Sequence, residues 1–352
     1  MLRDRRRSAD LVRLARTYAG PLAVAVVLLA CYAGNNAFWI YNLTLVATYA
    51  VVVVGLNVFV GYLGLVTFAQ TAFMAIGGYS LAILTVRHGW NPWAALLVGI
   101  ALSVLAAAAV GVPLLRLRGH YLTMTTFALA LGTFAYITGA TGFTGGSVGI
   151  SGVPPLAIGS FSLAEPRDGF LFCWIVVGLV TWIGVRLRDS HLGRAWRTIA
   201  SREEAGTSLG LRIQRFKVIG FVVAAVFGAV GGALYVGFTS YLSPDLYDSA
   251  IGVNLFVMLF LGGRGRTLAP IVGAAVLILI PQEFSSLSDY QAILFDCVLL
   301  FIILLKPGGL LEPPQWLLRR FRDGHPPTSG RRADPVTAGT AHADAPAIGA
   351  DR

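Results

Sequence analysis

The chain has 352 residues, of which 56% are hydrophobic and 12% are charged, and its mean hydropathy is +0.72. Soluble domains carry about twice that charged fraction, so the composition excludes an ordinary soluble enzyme. The net charge of +10 does not indicate nucleic acid as a partner, because the basic residues fall almost entirely on one side of the predicted spans.

Apolar runs of nearly membrane-spanning length recur along the chain. A bilayer core of roughly 30 Å takes about 20 helical residues to cross, and continuous rather than alternating apolar runs favour helices over strands. We therefore predict an all-α integral membrane protein with about ten transmembrane helices, several of them short or broken. The predicted spans are Tyr18–Ala33, Ile40–Gly61, Gln70–Val86, Trp93–Leu115, Tyr121–Thr138, Phe170–Val185, Val218–Phe238, Ile251–Leu261, Leu268–Ile280 and Tyr290–Leu305.

Polar segments flank the predicted transmembrane domain, residues 18–312. Residues 1–17 contain six arginines and form a basic N-terminus. Together with the first apolar run they also resemble a signal peptide, but a retained span is the simpler interpretation because the downstream chain is also apolar. Residues 313–352 are rich in Pro, Ala and Gly, and we expect a disordered tail there.

The distribution of basic residues predicts the orientation. With a cytoplasmic N-terminus and ten crossings, 25 of the 27 lysines and arginines fall on the cytoplasmic side, and only Arg87 and Arg167 fall outside. This asymmetry is what the positive-inside rule requires. We expect a multi-pass membrane protein, in contact with the lipid bilayer, with both termini in the cytoplasm.

The central loop, residues 186–217, is the longest strongly polar interval between apolar runs, and it carries eight basic residues. Within it, Ser201 and Glu204 have the spacing of a capping box, and Gly210 is placed to end a helix. The pattern predicts a short helix over 202–209 that docks onto a cytoplasmic partner. A solvated amphipathic linker is the alternative.

Two stretches carry glycines and polar residues at membrane depth, residues 57–79 and 237–265. Interrupted spans in corresponding halves of a transporter indicate its substrate path. Glycines that merely permit close helix packing are the alternative, and buried amides often join helices by hydrogen bonds. The candidate pathway residues are Asn57, Gln70, Phe73 and Asn254.

No pattern in the sequence predicts catalysis. The five histidines lack metal-ligand spacing, and neither of the two lysines, Lys217 and Lys306, ends a phosphate-binding loop. We therefore predict no catalytic residue, metal or cofactor. Asp296 is a lone acid in the last predicted span, and it leaves open a self-sufficient secondary transporter with a proton relay.

Several motifs together resemble the permease subunits of branched-chain amino acid ABC importers, the LivM type. In the central loop, Glu204-Ala205-Gly206 followed by Gly210 is similar to the permease segment that binds the ATPase. The other matching segments are Gly55-Leu56-Asn57, Gly77-Gly78-Tyr79, Leu115 to Tyr121, Thr144-Gly145-Gly146, Gly193-Arg194-Ala195, Lys217 to Tyr235, Gly262 to Gly265 and Lys306 to Leu310.

The resemblance implies an ABC importer permease fold and a set of partners. Two cytoplasmic ATP-binding subunits would supply energy, a second homologous permease would complete the pore, and an extracytoplasmic solute-binding protein would deliver the solute. Arg202, Glu203, Glu204, Ala205, Gly206 and Gly210 would then couple the permease to the ATPases.

The chain departs from the family pattern at three positions. Ala69 and Ala269 stand where the family usually has glycine, and His120 replaces an acid before Tyr121. These differences leave the solute open, since permeases for urea and short amides are closely similar. The resemblance implies transport of branched-chain or other small amino acids, with urea or amide transport as the alternative.

Overall fold

Long apolar helices make up most of the structure, a computed structural model that describes residues 36–117, 119–158, 161–162, 165–201 and 212–283. The helices are α1 (Ala37–Leu56), α2 (Gln70–Val86), α3 (Pro92–Leu114), α4 (His120–Gly139), α5 (Thr141–Thr144), α6 (Pro166–Asp189), α7 (His191–Ser201), α8 (Ile213–Thr239), α9 (Ser249–Gly262) and α10 (Ala269–Glu283).

Eight of these helices coincide with predicted spans. Within the described ranges, five are long and apolar enough to cross a membrane (α1 with its continuation to Tyr62, α3, α4, α6 and α8), and three shorter ones (α2, α9 and α10) are also apolar. The predicted first and tenth spans, Tyr18–Ala33 and Tyr290–Leu305, lie outside the described residues, as does the predicted tail. The count of ten therefore stays a prediction.

Three of the apolar helices have an N-terminal cap formed by a side chain. The Asn36 Oδ1 atom accepts a hydrogen bond from the Phe38 N–H at 3.1 Å, and the Asn91 Oδ1 atom accepts one from the Trp93 N–H at 2.9 Å. Asp248 caps α9 in the same manner. Each cap satisfies a backbone donor that the first helical turn leaves free.

Helix α8 lies at the centre of the bundle and packs most extensively against α2, α1 and α3. Two glycines allow α2 and α8 to approach closely. A Cβ at Gly77 would overlap the backbone of Ala229, and a Cβ at Gly232 would overlap that of Met74. Small residues at such crossings bring helix backbones into contact in membranes.

Helix α1 is almost wholly buried, because its remaining faces are covered by α6 and α10. Its valines from Val51 to Val54 belong to the main hydrophobic core. Helix α4 packs less extensively, with fewer neighbours in α2, α3 and α9. The bundle therefore has a tightly packed centre of α1, α2 and α8, with α4 at its margin.

A small cap of short strands closes the end of the bundle where α4 and α8 finish. Strand β1 (Ile150–Ser151) pairs with β4 (Tyr241–Leu242), and β2 (Ala157–Ile158) pairs with β3 (Phe161–Ser162), both antiparallel. The Tyr241 hydroxyl donates to the Val148 carbonyl at 2.9 Å. This is the end that the charge distribution predicts to face outward.

Candidate functional site

The opposite end of the bundle carries α7, a short amphipathic helix between α6 and α8. Its buried face contains Ala195, Trp196 and Ile199, whereas Arg194 and Arg197 are exposed. The Trp196 side chain is fully buried, and its Nε1–H donates to the Phe216 carbonyl at 3.0 Å. Trp196 thereby fixes α7 to the first turn of α8.

The described structure defines both ends of the segment predicted to bind an ATPase. Ser201 is the last residue of α7, and its hydroxyl donates to the Thr198 carbonyl at 2.9 Å. The chain resumes at Arg212, immediately before α8. The coupling residues themselves lie outside the described residues, and their role stays a prediction: Arg202, Glu203, Glu204, Ala205, Gly206 and Gly210.

The predicted boundaries of the central loop differ from those in the structure. Residues 186–189 form the last turn of α6, and residues 191–201 form α7, so a large part of the interval 186–217 is helical. Arg186 and Arg188 lower the local hydropathy but favour the C-terminal end of a helix, where they compensate its dipole. The helix predicted over 202–209 lies outside the described residues.

Next to α7, the chain after α1 forms a π-helical segment, Asn57–Tyr62. Asn57 is buried, and both ends of its amide are paired. Its Oδ1 atom accepts from the Gly265 N–H at 2.8 Å, and its Nδ2–H donates to the Arg266 carbonyl at 2.9 Å. π-Helical turns occur frequently at functional sites, and this one binds the α9–α10 loop, residues 263–268.

Two further contacts connect the α9–α10 loop and the π-helical segment to the helices around the central loop. The Arg188 Nη1–H donates to the Thr267 Oγ1 atom at 3.5 Å, which joins α6 to the α9–α10 loop. Gly64 lies beside Ala200 of α7, since a Cβ at Gly64 would be 3.2 Å from the Ala200 Cβ. Helices α6 and α7, the π-helical segment and this loop therefore form one connected cluster, the coupling cluster.

Two of the candidate pathway residues lie in the core where α1, α2 and α8 meet. The Gln70 Nε2 atom donates to the carbonyls of Val52 at 3.1 Å and Ala224 at 3.0 Å. Within the described part of the chain, its buried Oε1 atom has no hydrogen-bond partner. Phe73 is buried edge-on to Phe221, with ring centroids 5.1 Å apart. Both side chains join helices in this structure.

The four candidate pathway residues thus occupy different surroundings. Asn57 belongs to the coupling cluster, Gln70 and Phe73 to the core, and Asn254 is half-buried on α9. Their contribution to a substrate path stays a prediction. The sequence placed Gly265 within the stretch 237–265 but did not indicate Arg266 or Trp196 as functional positions. The apolar spacing of α7 was a signal that could have identified Trp196.

A bundle of membrane-length helices, with an amphipathic helix connecting two of them, is the architecture of a polytopic membrane protein. The family described as "Branched-chain amino acid transport system / permease component" matches residues 38–306. The chain belongs to this family of branched-chain amino acid ABC transport permeases.

Three named permeases are among the relatives that are similar to the chain. It is 29% identical to the high-affinity branched-chain amino acid transport system permease protein LivM of Escherichia coli, over 76% of this chain and 68% of that protein. It is 24% identical to LivH of the same organism, over 78% of this chain and 94% of that protein. BraD of Pseudomonas aeruginosa is also 24% identical, with the same coverage. No solved structure matches the chain significantly.

Proposed function

We propose that the chain is the membrane-spanning permease subunit of an ABC importer that moves branched-chain or other small amino acids across a bacterial inner membrane. The observation that carries this proposal is the family match over residues 38–306, which covers every described helix from α2 to α10 and all but the first residue of α1. Similarity to LivM over most of both chains supports the same substrate class.

The proposed assembly contains a second permease, two ATP-binding subunits and an external solute-binding protein. The chain is similar to two differently named permeases of one organism, LivM and LivH, which supports a pore built from two related subunits. The ATP-binding subunits bind at residues 202–210, next to the coupling cluster. The solute-binding protein docks at the opposite end, over the β1–β4 cap.

Through the contacts of the coupling cluster, a movement of the ATPase-binding segment can displace the membrane helices. When the ATP-binding subunits close, they displace the segment after Ser201 and with it α7. Trp196 transmits this movement to α8, and Ala200 transmits it to Gly64 beside the π-helical segment. The paired amide of Asn57 then moves the α9–α10 loop.

Transport requires that the solute affinity differ between two states of the bundle. Binding of ATP can favour one state only through interactions that differ between them. In this mechanism the outward-open state receives the solute, and the inward-open state releases it. Asn57, Gln70, Phe73 and Asn254 are proposed to change surroundings between the two states, since each lies in or beside the helices that move.

The test is a charge reversal in the complete transporter, reconstituted in proteoliposomes. Glu204→Lys places a cation where the ATPase is proposed to bind, and we expect normal membrane insertion but loss of solute-stimulated ATP hydrolysis and of leucine uptake. Glu165→Lys is the matched control, because Glu165 is exposed before α6, in the loop predicted to face outward. Unchanged leucine uptake by Glu204→Lys contradicts the proposed coupling.

A further inference from the structure

The side of α6 that faces away from the bundle carries a stripe of large, exposed residues. Helix α6 packs mainly against α1, and it buries the opposite face, which contains Val177. On the outer face, Ile175, Leu179 and Trp182 are 66%, 54% and 56% exposed. Arg186 follows at the same helical spacing, so the four side chains share one face of the helix.

The stripe ends in a stacked pair, at the end of α6 that the charge distribution predicts to face the cytoplasm. The Arg186 Cζ atom lies 5.2 Å from the centroid of the Trp182 ring, and both side chains are exposed. The face of the ring attracts the cation and holds it in position. Within the described part of the chain, the Arg186 guanidinium forms no ion pair. Its charge is therefore available to an anionic group outside the protein.

Helix α9 ends with the same arrangement. The Arg264 Cζ atom lies 6.0 Å from the centroid of the Phe260 ring, and Phe260 is 37% exposed. In both pairs the arginine follows the ring by four residues, and both pairs lie at the end of the bundle that carries the coupling cluster. Aromatic and basic residues collect where the hydrocarbon of a membrane meets the headgroups. The two pairs therefore mark this boundary on two helices.

The length of the stripe matches one leaflet of a membrane. From Ile175 to Arg186 the helix rises about 16 Å at roughly 1.5 Å per residue, and half of a hydrocarbon core of roughly 30 Å is about 15 Å. An acyl chain can therefore lie along Ile175 and Leu179 while the headgroup of the same lipid reaches Arg186.

A helix of a partner protein fits this face less well than a lipid does. Helices in membranes approach each other closely through small residues, as α2 and α8 do at Gly77 and Gly232. On the stripe, large side chains project instead, and Gly178 beside them has open space around it. Open space between large apolar side chains suits a flexible acyl chain.

We propose that this face of α6 binds an anionic phospholipid of the cytoplasmic leaflet, with the Arg186 guanidinium on the phosphate of the headgroup and an acyl chain along Leu179 and Ile175. A lipid with a net negative charge is preferred over a zwitterionic one, because it carries no ammonium group that competes for the phosphate. This site goes beyond the proposed function, since it does not depend on which solute the transporter moves.

The test compares two brominated lipids as quenchers of Trp182 fluorescence in the purified full-length chain, reconstituted in phosphatidylcholine vesicles. The Trp182 emission is the difference between each protein and the same protein with Trp182→Phe. We expect brominated phosphatidylglycerol to bind about fivefold more strongly than brominated phosphatidylcholine, the preference that one arginine near the surface supplies. Arg186→Gln is expected to lower this preference to nearly one, and Arg186→Lys, which keeps the charge, to retain most of it.

Arg197→Gln is the matched control, because Arg197 is exposed at the same end of the bundle but lies on α7. It removes an equal charge and should leave the lipid preference unchanged. Equal binding of the two lipids to the wild-type chain overturns the proposal, as does an unchanged preference in Arg186→Gln. An equal loss in Arg197→Gln also overturns it, because the preference then comes from the general surface charge. If neither lipid quenches Trp182 in the complete transporter, a partner subunit covers this face and the lipid site is refuted.

Discussion

The amide of Asn57 is joined to the backbone of Gly265, 208 residues further along the chain, by a hydrogen bond of 2.8 Å from the Gly265 N–H to Oδ1. The same amide donates to the carbonyl of Arg266. Gly265 has a φ of +78°, a conformation that glycine adopts without strain. A Cβ at Gly61 would overlap the Asn57 Oδ1 atom, so the glycines around the amide give it room.

Replacing Asn57 is expected to loosen the α9–α10 loop. In Asn57→Ala, the part-buried Gly265 N–H and Arg266 carbonyl lose their partners, and we expect a loss of about 2 kcal/mol in the free energy of unfolding, roughly 1 kcal/mol for each hydrogen bond. The rate of solute uptake should fall more than the rate of ATP hydrolysis, because the movement of α7 is no longer transmitted through Asn57 to the α9–α10 loop. Thermal denaturation of the purified protein and uptake in proteoliposomes measure the two effects.

Asn42→Ala is the matched control for this prediction. Asn42 is equally buried in α1, but its Nδ2–H donates only to the Phe38 carbonyl, four residues earlier in the same helix. We expect a loss below about 1 kcal/mol, since that carbonyl also takes part in the helix ladder. Equal effects of the two substitutions contradict a special role for Asn57.

Trp196→Phe tests the attachment of α7 to α8. The phenyl ring keeps much of the buried contact but leaves the Phe216 carbonyl without its Nε1–H donor. We expect a fall in leucine uptake with intact membrane insertion. Trp182→Phe on α6 is the control, because Trp182 is 56% exposed, and it should transport at the wild-type rate. Parallel uptake assays on both variants check the prediction, and a normal rate in Trp196→Phe opposes it.

Alanine substitutions at two glycines are expected to change stability in opposite directions, because only one of them, Gly77, lies at the close contact between α2 and α8. Gly77→Ala inserts a methyl group into the backbone of α8, and we expect a destabilisation of about 1–3 kcal/mol. Gly132→Ala on α4 has open space around the new methyl group and should stabilise the protein by roughly 0.5–1 kcal/mol. Denaturation midpoints measure both, and a neutral Gly77→Ala contradicts the packing.

Gln70→Leu distinguishes a structural from a solute-binding amide. The substitution removes the two hydrogen bonds to α1 and α8 and replaces the amide by an apolar side chain that is one atom shorter. We expect a loss of about 1 kcal/mol or less in stability, because both carbonyls also take part in helix ladders and the substitution removes the unpaired buried Oε1 atom, with an unchanged ratio of leucine to valine uptake. A changed ratio at normal stability identifies Gln70 as a solute contact instead.

Hydropathy predicts helix ends well only where the flanking residues are polar and fall outside the helix. Helix α2 runs from Gln70 to Val86 as predicted, because Arg87 follows its apolar run directly. Helix α6 extends from Pro166 to Asp189, beyond the predicted 170–185. Its first turn contains Asp168 and its last turn contains Arg186 and Arg188, whose charges favour these helix ends although they lower the hydropathy.

The site was predictable only in part. The sequence identified Asn57 as a polar residue at membrane depth, but no local pattern connects it with Gly265 and Arg266, since only the packed bundle brings them together. Helix α7 was missed because its two arginines and its other polar residues interrupt the apolar pattern of this eleven-residue helix. Its residues Leu192, Trp196 and Ile199 have the spacing of one helical face.

The proposed coupling requires the segment between α7 and α8 to face the compartment that contains ATP. Single cysteines at residue 204 and at residue 245, placed in a variant that lacks Cys31, Cys173 and Cys297, can be labelled with a maleimide that does not cross membranes. In intact spheroplasts the account predicts labelling at 245 and none at 204, and in inside-out vesicles the reverse. Labelling of residue 204 in intact spheroplasts would contradict the topology and the proposed coupling with it.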